Sequence, residues 1–148
     1  MAKLTLARFR TLLPEASIVL DAAVASREEA VALAGSILAA GGAVDQSYAD
    51  AMLEREYSVS TYVGEGIAMP HGTLSAKDSV ISDALVLLRF TKPIDWNGES
   101  VSVVIGIAAR GRGYIALISQ LAAVLLDSGK AADLRAATTA DEVYAVFA

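Results

Sequence analysis

Apolar and polar positions along this chain switch between two spacings, and each switch marks an element. Ser17 to Ala23, SIVLDAA, reads as a short strand. Ser26 and Glu29 then form an S-x-x-E capping box ahead of Ala30, Val31, Leu33, Ala34, Ile37 and Leu38, which predicts an amphipathic helix. Gly41 and Gly42 should end it, after which Asp45 is placed to cap a second helix with Tyr48, Met52 and Leu53 on its apolar side. Gly66 to Met69 is a short extended segment. Ala84 to Phe90 and Val101 to Ala109 are nearly continuous apolar runs, as expected of strands buried on both faces, and Lys92 to Gly98 reads as the turn between them. Tyr114 to Ser128 carries Leu117, Leu121, Val124 and Leu125 at helical spacing, with Gly129 as a stop. A helical piece follows around Ala131 to Ala136, and Thr139 with Glu142 opens a last helix ending near Phe147. Ahead of Ser17, Arg8 and Arg10 interrupt the apolar pattern and no element is assigned. The order β-α-α-β-β-β-α-α-α predicts an α/β fold, a three-layer α/β/α sandwich on a mixed sheet, rather than a regular alternating dinucleotide-binding unit.

Composition narrows the chemistry. The 148 residues suit one domain over 1–148, long enough to bury roughly two thirds of the unfolded surface. Although 55% of residues are hydrophobic, the run Val101 to Ala109 contains Ser102 and falls far short of the roughly 20 residues that cross a bilayer. The start lacks the charged, apolar and small-residue succession of a secretory leader, so a cytoplasmic location is expected. Zero cysteines exclude disulfides and thiolate chemistry, and a single histidine leaves a zinc site little but carboxylates. A net charge of -5 disfavours a broad nucleic-acid footprint.

That one histidine lies in EGIAMPHGT, Glu65 to Thr73. Pro70 fixes its own φ and pushes Met69 into extended geometry, so a strand entering through Ile67 ends near His71 and delivers the imidazole at its tip. Gly72 lacks a Cβ and permits close approach, with Gly64 and Gly66 relaxing the other side. A neutral imidazole so held is a nucleophile if its second nitrogen donates to a fixed acceptor, either Glu65 or a backbone carbonyl. From residue types alone a packing role for His71 stays open beside the reactive one. In ARGRGY, Ala109 to Tyr114, a strand end, two glycines and a helix start suggest an anion pocket, although from these residues alone an ordinary strand-to-helix loop with two solvated arginines is the favoured reading. Arg55, near the border of the second helix's apolar side, can fork two donors to a phosphate; alternatively Glu54 or Glu56 screens it at the surface. Hydrolase elbows, P-loops and dinucleotide loops are missing from the sequence.

The stretches AMLEREYSVSTYVGEGIAMPHGTLSAKDSV and VVIGIAARGRGYIALISQLAAVL resemble the enzyme IIA component of bacterial sugar phosphotransferase systems, mannitol/fructose class, from about Ser17 to the C-terminus. PHGT followed by AKD is most similar to mannitol-type members. The resemblance implies that His71 accepts a phosphoryl group on Nε2 from phospho-HPr and passes it to a cysteine of enzyme IIB, with a membrane enzyme IIC on other polypeptides, and with no cofactor or metal. It also implies that Arg55 neutralises phosphoryl charge. Tyr114 stands where family members commonly carry a second histidine, and a phenol donates a hydrogen bond without supplying positive charge. His71, Arg55 and Tyr114 are therefore the candidate catalytic residues, and Thr61, Glu65, Gly72 and Arg112 the candidate substrate-binding ones. Met69 and Ile67 are the expected apolar docking patch for both partners. A regulatory module carrying phosphate on His71 as a signal, without efficient sugar-linked transfer, is the alternative.

Overall fold

The computed structural model describes residues 4–110 and 113–148. Helices α1 (Leu6–Leu12), α2 (Arg27–Ala40), α3 (Tyr48–Ser58), α4 (Gly113–Leu125), α5 (Ser128–Ala136) and α6 (Ala140–Val146) surround strands β1 (Ile18–Ala22), β2 (Tyr62–Gly64), β3 (Ile67–Ala68), β4 (Ala84–Trp96) and β5 (Glu99–Ala108). The sheet order is β1-β4-β5-β3-β2. It is mixed: β1 runs parallel to β4 and β3 parallel to β5, while β4–β5 and β2–β3 are antiparallel.

Strand alternation divides the apolar residues between two faces. Leu85, Leu87, Val103, Ile105 and Ile107 pack with Phe9 of α1, Leu121 of α4, Leu134 of α5 and Val143 of α6. Their neighbours Val86, Leu88, Val104 and Ala108 pack instead with Val31 and Leu38 of α2 and Met52 of α3. Both faces of the central strands are covered, which is why their sequence shows unbroken apolar runs and no alternation. The three layers follow.

Capping decides several boundaries. Ser26 Oγ accepts from Glu29 N–H as read from the sequence, while the Glu29 carboxylate accepts from the N–H of Ala25, one residue before the cap, a shifted form of the reciprocal box. Thr139 and Glu142 repeat the cap at α6, where Thr139 Oγ1 accepts from Glu142 N–H. Ser47 is the residue preceding α3, and Asp45 acts on it by accepting from its backbone N–H, so the aspartate caps the approach to the helix and not the helix itself.

Three elements differ from the sequence reading. Helix α1 exists because Thr5 Oγ1 caps it and because Phe9 and Leu12 face the core while Arg8 and Arg10 point outward; the arginines mark its solvent face. Strand β2 has only three residues and too little pattern to be seen. Lys92 to Gly98 is not the turn: β4 continues through Lys92 and Pro93, with a register break between Arg89 and Ile94 that absorbs the proline's missing N–H. The reversal is the two-residue Asn97–Gly98 loop, both residues at positive φ (54° and 94°), as a right-twisted hairpin demands.

Candidate functional site

Sheet order places His71 at the centre of one sheet edge. Beyond β3 the chain stays extended: Met69 N–H donates to the Thr61 carbonyl (3.0 Å), and Ile107 N–H donates to the Pro70 carbonyl (2.9 Å). His71 makes an isolated parallel bridge with Ile107 at the C-terminal end of β5, beside the loop that leads into α4. The proline therefore ends the ladder, and the next side chain leaves the sheet half-buried.

His71 Nδ1 lies 2.9 Å from the Met69 carbonyl. A carbonyl only accepts, so Nδ1 carries the proton and Nε2 carries the lone pair. Of the two acceptors considered from the sequence, the backbone carbonyl is the one used. Burial chiefly lowers the imidazole pKa below 6.5; the Met69 carbonyl opposes this, Arg55 adds to it, and Glu56 opposes it. The ring is held neutral at pH 7, the form a nucleophile requires.

Helix α3 grips the turn. Tyr48, at its start, donates its hydroxyl hydrogen to the Ile107 carbonyl (2.8 Å) and accepts from Gly72 N–H (2.9 Å), tying β5 to the residue after His71. One turn from the other end, half-buried Arg55 donates from Nη1 to the Val59 carbonyl (2.6 Å). Glu56, only 2% exposed, accepts from Thr61 N–H (2.8 Å to Oε2), from Thr61 Oγ1 (2.9 Å to Oε1) and from Trp96 Nε1.

Several sequence-derived assignments change. Glu65 sits in the β2–β3 turn at the opposite end of β3 from His71, where Arg135 of α5 donates to its carbonyl and lies 3.5 Å from its carboxylate. Gly64 and Gly66 serve this turn, both at positive φ, and not the approach to the histidine. Thr61 is buried, with its hydroxyl hydrogen committed to Glu56. Gly72 does lack a Cβ for a steric reason, but the neighbour is internal: an added Cβ would lie 2.5 Å from Tyr48 Cε1. Glu56 is not a surface screen for Arg55. Ile67 and Met69, at 0% and 1% exposure, belong to the core and cannot be a docking patch. The large exposed apolar side chains on the elements flanking His71 are Tyr57 and Val59 at the end of α3 and Ile115 in the first turn of α4.

In ARGRGY, Arg110 N–H is already given to Asp83 (2.9 Å), whose other oxygen lies 3.4 Å from Arg8. That carboxylate takes one donor of the expected anion pocket. Arg112 lies outside the described residues, as does the Tyr114 side chain, whose backbone begins α4. Among the described residues no group of three or more His, Asp or Glu converges as metal ligands.

Sequence missed Glu56 and Tyr48 as members of the site. The signal was present: Tyr48, Met52 and Glu56 are spaced four apart, so the carboxylate lies on the buried stripe of its helix.

Comparison with known proteins adds relatives to this geometry. The profile described as "Phosphoenolpyruvate-dependent sugar phosphotransferase system, EIIA 2" matches residues 11–148. The mannitol-specific phosphotransferase enzyme IIA component of Halalkalibacterium halodurans is 39% identical over 136 residues, 92% of this chain and 94% of that one. Its Staphylococcus aureus (strain MRSA252) counterpart is 40% identical over 131 residues, 88% of this chain and 91% of that one. The crystal structure of IIA mannitol from Escherichia coli superposes with a TM-score of 0.83 at 38% identity, covering 89% of this chain and 96% of that one. Enzyme IIA from the Escherichia coli complex with phosphorylated enzyme IIB does so equally, with a TM-score of 0.83 at 38% identity over 88% and 92% of the two chains.

Proposed function

This chain belongs to the EIIA 2 family of the phosphoenolpyruvate-dependent sugar phosphotransferase system, and from that premise we propose that His71 is its phosphoryl acceptor, loaded by phospho-HPr and discharged to an enzyme IIB cysteine. The protein is a phosphotransferase working through a phosphohistidine. The observation that carries the assignment to His71 is the Nδ1–H bond to the Met69 carbonyl, which selects the tautomer with a nucleophilic Nε2.

Transfer proceeds in line. Nε2 attacks phosphorus as the donor's N–P bond breaks, and later the thiolate of enzyme IIB attacks as the Nε2–P bond breaks. Little covalent chemistry is left for the protein beyond alignment and charge, so the held ring and the Arg55 guanidinium are its principal tools. Arg55 offers further N–H donors to the phosphoryl oxygens besides the one given to Val59. Tyr114, at the start of α4, and Arg112 just before it complete the donor set in this reading. Thr61 and Gly72 act behind it, as supports of the turn, while Glu65 stays with Arg135 at the far end of β3.

Relatives named as mannitol-specific at about 40% identity support mannitol as the transported polyol. A relative seen with phosphorylated enzyme IIB supports that protein as the acceptor, and a membrane enzyme IIC on another polypeptide is the proposed remainder of the system. No single helix among the described residues is long and apolar enough to cross a membrane, in keeping with a cytoplasmic station for the whole 1–148 domain.

The test is direct: incubate the chain with phosphoenolpyruvate, enzyme I and HPr, map the modification by mass spectrometry, then add enzyme IIB. The expected result is phosphate on His71 that discharges to enzyme IIB and is lost in His71→Ala. Phosphate elsewhere, or none, would refute the assignment.

A further inference from the structure

We propose that Glu56 is a positioning residue for phosphoryl transfer: through Thr61 and Met69 its buried carboxylate fixes the tautomer and aim of the His71 ring and supplies a counter-charge as the N–P bond forms. The inference rests on His71 being the phosphoryl acceptor.

The geometry is a chain of held residues. Glu56 takes two hydrogen bonds from Thr61, one from its N–H and one from its hydroxyl. The Thr61 carbonyl takes the Met69 N–H (3.0 Å), and the Met69 carbonyl takes His71 Nδ1–H (2.9 Å). Met69 is thus clamped at both of its backbone polar groups, which fixes the carbonyl that His71 Nδ1–H reaches. Trp96, fully buried at the end of β4, anchors the same carboxylate from a third direction.

Glu56 and Thr61 are the buried polar residues of the described chain, and they are partnered with each other. Burying a carboxylate carries a large desolvation penalty, and a hydrophobic residue or a neutral amide would join α3 to β2 and β4 without it. A charge retained there, adjacent in sequence to Arg55, whose charge acts on the imidazole, matches the needs of the reaction. When Nε2 bonds to phosphorus, the donor nitrogen leaves with the electron pair of its own N–P bond, Nδ1 keeps its proton, and the ring becomes cationic. In this arrangement Arg55, which disfavours the cationic ring, is left for the phosphoryl charge, while the Met69 carbonyl and Glu56, which both favour it, stabilise the ring charge. In the low dielectric behind the ring such opposition is felt strongly.

The experiment is Glu56→Gln in the full chain, which keeps size, removes charge and turns an N–H₂ toward a donor. His71 titration and tautomer are read by ¹⁵N NMR without any phosphoryl donor, and the transfer rate is read with phospho-HPr. The titration midpoint and the Nδ1–H population should both fall, and transfer should slow by about tenfold or more, with circular dichroism unchanged. An unaltered midpoint and tautomer with a transfer rate within about twofold would overturn the proposal. If Glu56→Gln does not fold, Thr61→Val, which deletes only the hydroxyl donor, replaces it: a disturbed tautomer with slowed transfer supports the role and an undisturbed pair overturns it. Because the NMR arm needs no phosphoryl group, a wild-type protein that never takes label would refute the His71 assignment separately.

Discussion

The imidazole of His71 is the residue whose environment does most to define the molecule's chemistry, and it leaves a signature in stability. Its folded pKa is depressed below 6.5, mainly by burial. As pH falls below 6.5 the unfolded chain takes up a proton that the native ring resists, so stability declines through that window, down to the folded value. His71→Gln should therefore flatten the pH dependence of the urea midpoint between pH 6.5 and the lower native pKa, leaving the steeper acid limb from carboxylates such as Glu28 and Asp45, whose pKa values are lowered, in place. An identical slope in both proteins would mean the ring titrates normally. Tyr114 offers a second residue-scale prediction: Tyr114→His should lengthen the phosphohistidine lifetime and speed transfer if the phenol is a weaker substitute for a cationic ring. Unchanged rates in both Tyr114→His and Arg112→Ala would remove these two residues from the site. The uniqueness of His71 and its Pro/Gly frame made it legible in sequence. Glu56 was not, because a carboxylate beside an arginine looks like a surface pair until the four-residue spacing to Met52 and Tyr48 is given weight.

At the scale of elements, what the sequence revealed depended on how much pattern each one carries. The boxes at Ser26 and Thr139 are two-residue signals read without tertiary knowledge, and both are realised. Helix α1 and strand β2 are short, and their amphipathic pattern means little until something is known to lie against it. For α1 that partner is α6: Phe9 stacks on Phe147 with centroids 4.1 Å apart and meets Tyr144 edge-on at 6.2 Å. Tyr144 also donates its hydroxyl to the Leu13 carbonyl (2.6 Å), so the two ends of the chain close one face of the sheet together. Phe9→Ala should lower stability by about 3–5 kcal/mol, the range for a buried aromatic that leaves a cavity. Urea unfolding would measure it. Transfer by the folded fraction should stay normal, because α1 packs on the face opposite α3; a slowed rate at full folding would connect α1 to the site.

For the whole molecule, unbroken apolar runs along two central strands were enough to infer three layers, but strand order was beyond reach because it depends on which edges β2 and β3 find. That order has a functional result: β3 beside β5 brings the tip of the PHG turn level with the entry to α4, while α3 crosses beneath and contributes Tyr48, Arg55 and Glu56. Val59, just past the end of α3, and Ile115, in the first turn of α4, are 61% and 56% exposed, whereas Tyr57 carries the Arg27 guanidinium 5.1 Å over its ring at the start of α2. Transient transfer complexes use modest interfaces with an apolar centre, and if His71 is the phosphoryl acceptor, Val59 and Ile115 are candidates for one that both partners would share. Val59→Asp changes a side chain while its carbonyl still holds Arg55, so it should raise KM for phospho-HPr and for enzyme IIB by about fivefold, near the 1 kcal/mol threshold for an interface contact, with stability altered by no more than about 0.5 kcal/mol. Leu126→Asp, at a side chain 71% exposed beyond the far end of α4, is the matched control and should leave both values alone. Met69→Asp should instead unfold the chain, since that residue is core. If Val59→Asp and Leu126→Asp transfer alike, the partners dock through some other face, and the exposed apolar residues flanking His71 have a different purpose.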